Sequence, residues 1–345
     1  MLKNNQKVAI YMEGHLFTEN GKMGYGALRY LNNPVVAVID SENNGKNIKD
    51  CLPISRNVPV VENLDAAISY GAEVLLLGIA NSGGIIPEPW FSVIDNAIVK
   101  GLSIINGLHD ELANKYKSSL KNNQWIWDVR VPQFVPKIAT GKALKINNKR
   151  ILCVGTDMAS GKMTTSLELF KWAKEKKIKS SFIATGQIGI TVTGKGIPLD
   201  AFKVDHACGA VEHMILQDSK SDWIFIEGQG SLLHPGSSAT LPLMRGSCPT
   251  HLILCHRADL KNLRPPVEHV KIPNLNEVIE LNESLAKACG TFPKVKVVGI
   301  SLNTVKLDSV SAQKSIDFWE SETNLPVTDV VRFGAEKLGM AIKNN

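Results

Sequence analysis

The sequence predicts an α/β protein of two domains, an N-terminal Rossmann-like parallel sheet and a C-terminal P-loop NTPase-like doubly wound sheet. Three observations carry this. Short apolar runs alternate with helical patterns along nearly the whole chain, as βαβ units require. The apolar run Ile151-Leu152-Cys153-Val154 opens into GTDMASGKMT at 155–164 and then into a helical pattern with Leu167, Phe170 and Ala173 on one face. A stretch broken by Pro132, Pro136 and Gly141 separates the two series, so the domains are expected at residues 1–135 and 136–345. The 345-residue length suits two domains of ordinary size, and a 44% hydrophobic content can fill two cores.

In the first half, residues 7–12 form a strand pattern ending at Glu13-Gly14. A helical stretch at 25–31 is closed by Pro34, and a second strand at 35–39 ends in Asp40. Strand, helix, strand and an acid suggest a Rossmann-like unit. Gly21, Gly24 and Gly26 do not complete the G-x-G-x-x-G fingerprint, so a dinucleotide site is not expected. Strands at 58–61, 73–80 and 102–106 alternate with helices at 64–70 and 87–100. Glu13, Asp40, residues 81–84, Asn106 and His109 fall at strand ends, where parallel sheets bind ligands; taken singly, each is expected as a cap or turn residue.

The loop at 155–164 carries the chemistry. Glycines let the backbone fold closely round phosphate oxygens, and the amides at the helix start point at those oxygens with the helix dipole behind them. Gly155, Thr156, Asp157, Ala159, Ser160, Gly161, Lys162, Met163 and Thr164 are therefore the candidate cofactor-binding residues, with Lys162 as a mobile cation. Two features depart from the standard loop. Five residues stand between Gly155 and Gly161 where four are usual, and Met163 occupies the position where Ser or Thr ligates magnesium. A phosphate site is expected; magnesium-dependent triphosphate chemistry is not.

Beyond the loop helix, a strand at 181–185 leads into TGQ and a polar, glycine-containing stretch to Gly196. A helical pattern at 210–217 follows Asp205-His206. The strand at 222–226 ends in Glu227 and continues as GQGSLLHPG, which places Glu227 where a P-loop protein carries its Walker B acid. A strand at 251–255 runs into His256 and Arg257. A helix at 277–288 stops at Gly290, and a strand at 295–301 leads to Asn303, which can read a purine edge. A helix at 311–322, a strand at 327–332 and a terminal helix close the chain.

Composition excludes several classes. A formal charge of +6 is modest, and the densest lysine run, 171–179, lies at a helix end, so nucleic-acid binding, which needs a basic face with aromatics, is not expected. The six cysteines show no C-x-x-C pair and read as free thiols. Cys248, His251, Cys255 and His256 are close in sequence, but alternate residues of a strand face opposite ways, so no metal site is expected. There is no signal-peptide pattern and no apolar run of about 18 residues, so a soluble cytoplasmic protein without membrane contact is expected. A homo-oligomer, by default a dimer, is expected.

The P-loop and the glutamate segment resemble dethiobiotin synthetase over residues 151–305: the Gly-Thr-Asp opening, the longer spacing to Gly-Lys, Glu227-Gly228-Gln229-Gly230, and Asn303 after a late strand. The whole chain is more similar to a family that joins a Rossmann-like domain to this variant P-loop domain and was long carried as a domain of unknown function. The matching features are YMEGH followed by GKMGYGALRYL, AVID at 37–40, GTDMASGKMTTS at 155–166, TGQIGI at 185–190 and EGQGSLLHPG at 227–236. The resemblance implies D-glutamate N-acetyltransferase activity, with acetyl-CoA and D-glutamate as small-molecule substrates in D-amino-acid catabolism. Coenzyme A carries a pyrophosphate and a 3′-phosphate for a P-loop to hold, and acyl transfer needs no magnesium.

For that reaction the general-base candidates are Glu227, then His234, Asp157 and His206. Backbone amides at 228–231 are candidate oxyanion donors. Arg257, Arg264 and Lys195, with Gln187, Gln229 and Ser231, are candidates for holding the amino-acid substrate. No cysteine sits in a Cys-His arrangement, so an acyl-cysteine route is not favoured. An ATP- and magnesium-dependent ligase or kinase of the dethiobiotin synthetase type, and a non-catalytic nucleotide- or CoA-binding protein, are the alternative functions.

Overall fold

The computed structural model describes residues 2–81 and 83–345. The chain forms two compact units. The first contains the chain up to Gln133 together with Gln187–Ala201, and the second contains Phe134–Gly186 and Phe202–Asn345.

In the first unit the elements follow in chain order. They are β1 (Val8–Tyr11), α1 (Lys22–Tyr30), β2 (Val35–Ile39), α2 (Ile48–Cys51), β3 (Val60–Val61), α3 (Leu64–Ser69), β4 (Val74–Leu77), α4 (Trp90–Val99), β5 (Ser103–Asn106), α5 (Leu112–Lys115) and β6 (Ile126–Asp128). All strand pairs are parallel, in the order β3-β2-β1-β4-β5-β6, which is the Rossmann arrangement. The continuous apolar runs of β1 and β4 are buried throughout, as an interior parallel strand demands. Tyr11 packs edge-on against Trp90 with ring centroids 4.5 Å apart.

The strand-end residues of this unit act as local ties. Both oxygens of Glu13 accept from Ser41, one from its N–H at 2.9 Å and the other from its hydroxyl. Asp40 is fully buried and accepts the Leu16 N–H at 3.2 Å. Asn106 accepts from the Leu108 N–H and donates to the Asp110 carbonyl and the Asp128 carboxylate. Asn81 donates to the Ile85 carbonyl, and Gly84 N–H to the Asn81 carbonyl; Ser82, within the 81–84 segment, lies outside the described residues. His109 lies 3.9 Å from Asp200. Gly24 serves close approach: its N–H donates to the Gly78 carbonyl at 2.7 Å, and a Cβ there would meet the Met12 sulfur at 2.3 Å.

The second unit is built on β7 (Lys149–Gly155), α6 (Lys162–Glu175) and β8 (Ser180–Ile183). After β8 the chain gives α7 (Gln187–Thr193) to the first unit, where it packs on α1. The polar stretch expected from Gln187 to Gly196 is thus a helix for its first seven residues. Then come α8 (Val204–Gln217), β9 (Trp223–Ile226), α9 (Thr240–Ser247), β10 (His251–Arg257), α10 (Leu275–Lys287), β11 (Lys296–Asn303), α11 (Ser309–Thr323), β12 (Val327–Thr328) and α12 (Glu336–Asn344). The last strand is only two residues long, not the six expected. Asp329 ends it by accepting from the Val331 and Arg332 N–H groups and from Thr304.

The sheet is again all parallel, ordered β12-β11-β10-β7-β9-β8. The P-loop strand β7 therefore sits between β9, which leads to Glu227, and β10. Both α6 and α9 pack on β7, which explains its unbroken apolar run. Local chemistry sets the helix starts: Asn274 and Glu277 form a capping box at α10, and Asp308 accepts two N–H groups at α11.

Candidate active site

Gly155 ends β7 and Lys162 begins α6, with residues 156–161 forming the loop between them. Gly161 has φ +102°, a left-handed turn that lets the helix start directly behind the loop. Gly155 is needed for room: a Cβ there would lie 2.3 Å from the Ser160 hydroxyl. The Lys162 side chain is buried and folds back over the loop. Its Nζ donates to the Asp157 carbonyl at 2.6 Å, the Met158 carbonyl at 2.8 Å and the Ser160 hydroxyl at 3.2 Å. Burial lowers its pKa to about 8, partly opposed by Cys255, Asp157, Cys153 and Glu227. Asp157 accepts from the Met158 N–H at 2.6 Å and the Arg264 N–H at 3.0 Å. Its carboxylate thus braces the loop.

Glu227 stands at the end of β9, on the other side of β7 from β10. Its Oε2 accepts from the Thr185 N–H at 2.9 Å and the Gly186 N–H at 3.2 Å, while Oε1 receives a longer contact, 3.3 Å, from the Gln229 side-chain amide. Burial raises its pKa to about 7, against the lowering by those two amides and by Lys162. Gly228 lets this segment lie against β7: a Cβ there would lie 1.7 Å from the Cys153 carbonyl and 2.9 Å from Lys162 Cδ. Lys162 and Glu227 therefore share one buried group around β7.

The other expected residues fall as follows. Thr156 is buried and its hydroxyl meets His256 Nδ1. A Cβ on Gly161 would lie 3.9 Å from the Asn303 side-chain nitrogen, which puts Asn303 beside the loop's end. Met163 and Thr164 are half-buried in the first turn of α6, and Ala159 lies within the loop. Arg257 is buried and held by Asp259 through a two-pronged pair at 3.1 and 3.0 Å. Arg264 is tied to Asp157 through its backbone. The Ser231 N–H, expected among the oxyanion donors, donates instead to the Ser237 hydroxyl, and Ser231 Oγ accepts from Leu233. Neither His234, whose Nδ1 accepts from the Gly236 N–H, nor His206, on α8, hydrogen-bonds to Glu227 among the described residues. Gln187, at the start of α7, and Lys195 belong to the first unit.

All six cysteines are free, and among the described residues no group of three or more His, Cys, Asp or Glu side chains is placed to hold a metal. No described helix is long and apolar enough to cross a membrane. The arrangement sets a glycine-framed loop at the start of α6 beside a buried carboxyl, Glu227, that burial raises to about 7. Two groups escaped sequence reasoning. Thr185 and Gly186 hold the Glu227 carboxylate through backbone amides, and the Thr185 hydroxyl donates to the Glu227 carbonyl at 2.7 Å, a pairing that no local pattern announces. His256 supports Thr156 from a neighbouring strand; in the sequence it stands out only by its place at a strand end and by its nearness to Cys248, His251 and Cys255.

Comparison with known proteins agrees with this architecture. Residues 137–339 match a domain of unknown function (DUF1611_C) described as a P-loop domain, and residues 41–132 match one (DUF1611_N) described as a Rossmann-like domain. A protein of Pseudoalteromonas sp named D-glutamate N-acetyltransferase is 40% identical over 279 residues, 79% of this chain and 82% of the relative. One of the same name from Tritonibacter scottomollicae is 37% identical over 279 residues, 80% of this chain and 82% of the relative. The crystal structure of a DUF1611 family protein from Anabaena variabilis superposes with a TM-score of 0.95 at 47% identity, covering 99% of this chain and all of that one.

Proposed function

The chain belongs to the two-domain DUF1611 family, and from that premise we propose that it is an N-acetyltransferase that moves the acetyl group of acetyl-CoA to the amine of D-glutamate. The relatives' name supports the acetyl transfer and the acceptor. One structural observation supports the chemistry best. A phosphate loop with Met163 in place of the magnesium-ligating hydroxyl lies beside a buried carboxyl, Glu227, whose pKa is raised to about 7.

In this reading phosphate oxygens of coenzyme A take the loop amides and draw Lys162 Nζ off the carbonyls of Asp157 and Met158. The amino acid arrives as an ammonium ion. Glu227 accepts its proton at Oε1, the oxygen not held by Thr185 and Gly186. The free amine attacks the thioester carbonyl; the new C–N bond forms, the C–S bond breaks, and the proton that the nitrogen sheds goes to the departing sulfur, so that coenzyme A leaves as the thiol. A carboxyl poised near 7 can take the proton and give it up again, whereas an ordinary carboxylate would be too weak a base. Magnesium and ATP have no part in these steps. The product belongs to the breakdown of D-amino acids.

The test is product analysis by mass spectrometry after incubation with acetyl-CoA and, separately, D-glutamate, L-glutamate and D-aspartate, with ATP absent and EDTA present. N-acetyl-D-glutamate is expected from the first alone. Product only on adding ATP and magnesium would move the assignment to a ligase or kinase of the dethiobiotin synthetase type.

A further inference from the structure

The carboxyl end of β10 carries His256, which the steps above leave unused. Its ring is buried, and Nδ1 lies 2.9 Å from the Thr156 hydroxyl. The Thr156 N–H donates to the Cys255 carbonyl at 3.1 Å, which carries the β7–β10 pairing one residue into the phosphate loop. Trp319 of α11 meets the imidazole edge-on, with centroids 5.9 Å apart and the planes at 84°. Thr156 is thus held twice by β10, and the ring that holds it packs on Trp319. The next residue, Asp157, supplies the carbonyl that Lys162 grips at 2.6 Å and the carboxylate that ties to the Arg264 N–H.

We infer that His256 is a positioning residue for the phosphate loop. Through Thr156 it fixes where the loop leaves β7, and so where Lys162 and the amides of the first turn of α6 meet phosphate oxygens. A side chain that only filled space could be replaced by leucine. A positioning residue must offer Thr156 a polar atom, and asparagine places its amide at about the reach of Nδ1. The inference rests on the acetyl-CoA reading only for the identity of the ligand.

The experiment compares His256→Leu, His256→Asn, Thr156→Val and the Leu/Val double variant with the parent protein. It measures kcat, KM for acetyl-CoA, calorimetric affinity for coenzyme A, and Tm for each. In His256→Leu, KM and the dissociation constant are expected to rise about tenfold, as loss of one buried hydrogen bond implies. Its kcat should stay within about twofold, because the bond is made equally in ground and transition states. His256→Asn should recover most of the loss, and the double variant should be no worse than Thr156→Val. Equal affinity in His256→Leu and the parent, or equal losses in the Leu and Asn variants, overturns the inference. Thr156→Val probes the same bond from the loop side with little change in volume, so an unstable His256→Leu does not hide the answer. If the parent binds no coenzyme A, the acetyl-CoA reading fails, and the same series titrated with inorganic pyrophosphate decides the inference. Parent and Asn binding above Leu supports it, and equal or absent binding sinks it.

Discussion

The Nζ of Lys162 lies 2.6 Å from the carbonyl oxygen of Asp157 and donates a hydrogen bond to it. Together with the Met158 carbonyl and the Ser160 hydroxyl, this makes the loop its own ligand. A buried ammonium is costly unless its protons are taken, and three acceptors take them here. Phosphate must compete with these acceptors. The amides at the helix start and the charge on the ligand supply the favourable term.

Lys162→Ala removes the cation and leaves those acceptors unpaired. We expect KM for acetyl-CoA to rise about a hundredfold, with a smaller fall in kcat. Steady-state kinetics checks this. An unchanged KM would mean that the loop does not hold the acyl donor.

The pH profile follows from the two shifted groups. Glu227 accepts a proton only when ionised, so kcat/KM should rise as pH climbs through about 7. Lys162 loses its charge above about 8, so kcat/KM should fall beyond that. A narrow bell between them is expected in kcat/KM for acetyl-CoA. A flat profile from pH 6 to 9, spanning about a unit on either side of the pair, would contradict the assignment.

Stability should also depend on Glu227. Its folded pKa is about 7, above the ordinary value of 4.5, so the folded state binds the proton more tightly. The resulting stability is full below 4.5 and is lost as pH rises to about 7. Glu227→Gln removes this dependence and still offers an oxygen to the Thr185 and Gly186 amides. The variant should gain on the parent by about 3 kcal/mol between pH 4.5 and pH 8. Denaturant unfolding at the two pH values reads the difference directly.

Gly228 should tolerate no side chain. A Cβ would lie 1.7 Å from the Cys153 carbonyl, which belongs to the central strand β7 and cannot move without breaking the sheet. Gly228→Ala is expected to cost at least about 3 kcal/mol or to prevent folding, read as Tm or as soluble yield. A variant as stable as the parent would show that β7 and the Glu227 segment are not in contact.

Much of this was legible from local pattern. Strand, glycine turn and helix are contiguous at 151–175, and Glu227 follows directly on the apolar run Trp223–Ile226. What sequence did not reveal depends on distance along the chain or on weak local preference. Thr185 and Gly186 meet Glu227 across about forty residues, through two backbone amides and the Thr185 hydroxyl. The α7 segment QIGITVT is rich in β-branched residues and holds a glycine, so local preference argues against a helix; packing on α1 decides it. β6 was missed because three residues are too few to show a period, and α9 because Pro242 and Gly246 interrupt it. Arg257 reads as free to hold a carboxylate until the structure shows Asp259, two residues on, filling its fork.

The most direct measurement is free-thiol release from acetyl-CoA, at saturating D-glutamate and with EDTA, by the parent protein and by Glu227→Gln. Steady release by the parent is expected, with a fall of at least about a hundredfold in the variant and coenzyme A affinity retained. Near-normal release by Glu227→Gln would remove Glu227 from the proton transfer, and no release by the parent would remove acetyl-CoA from the site.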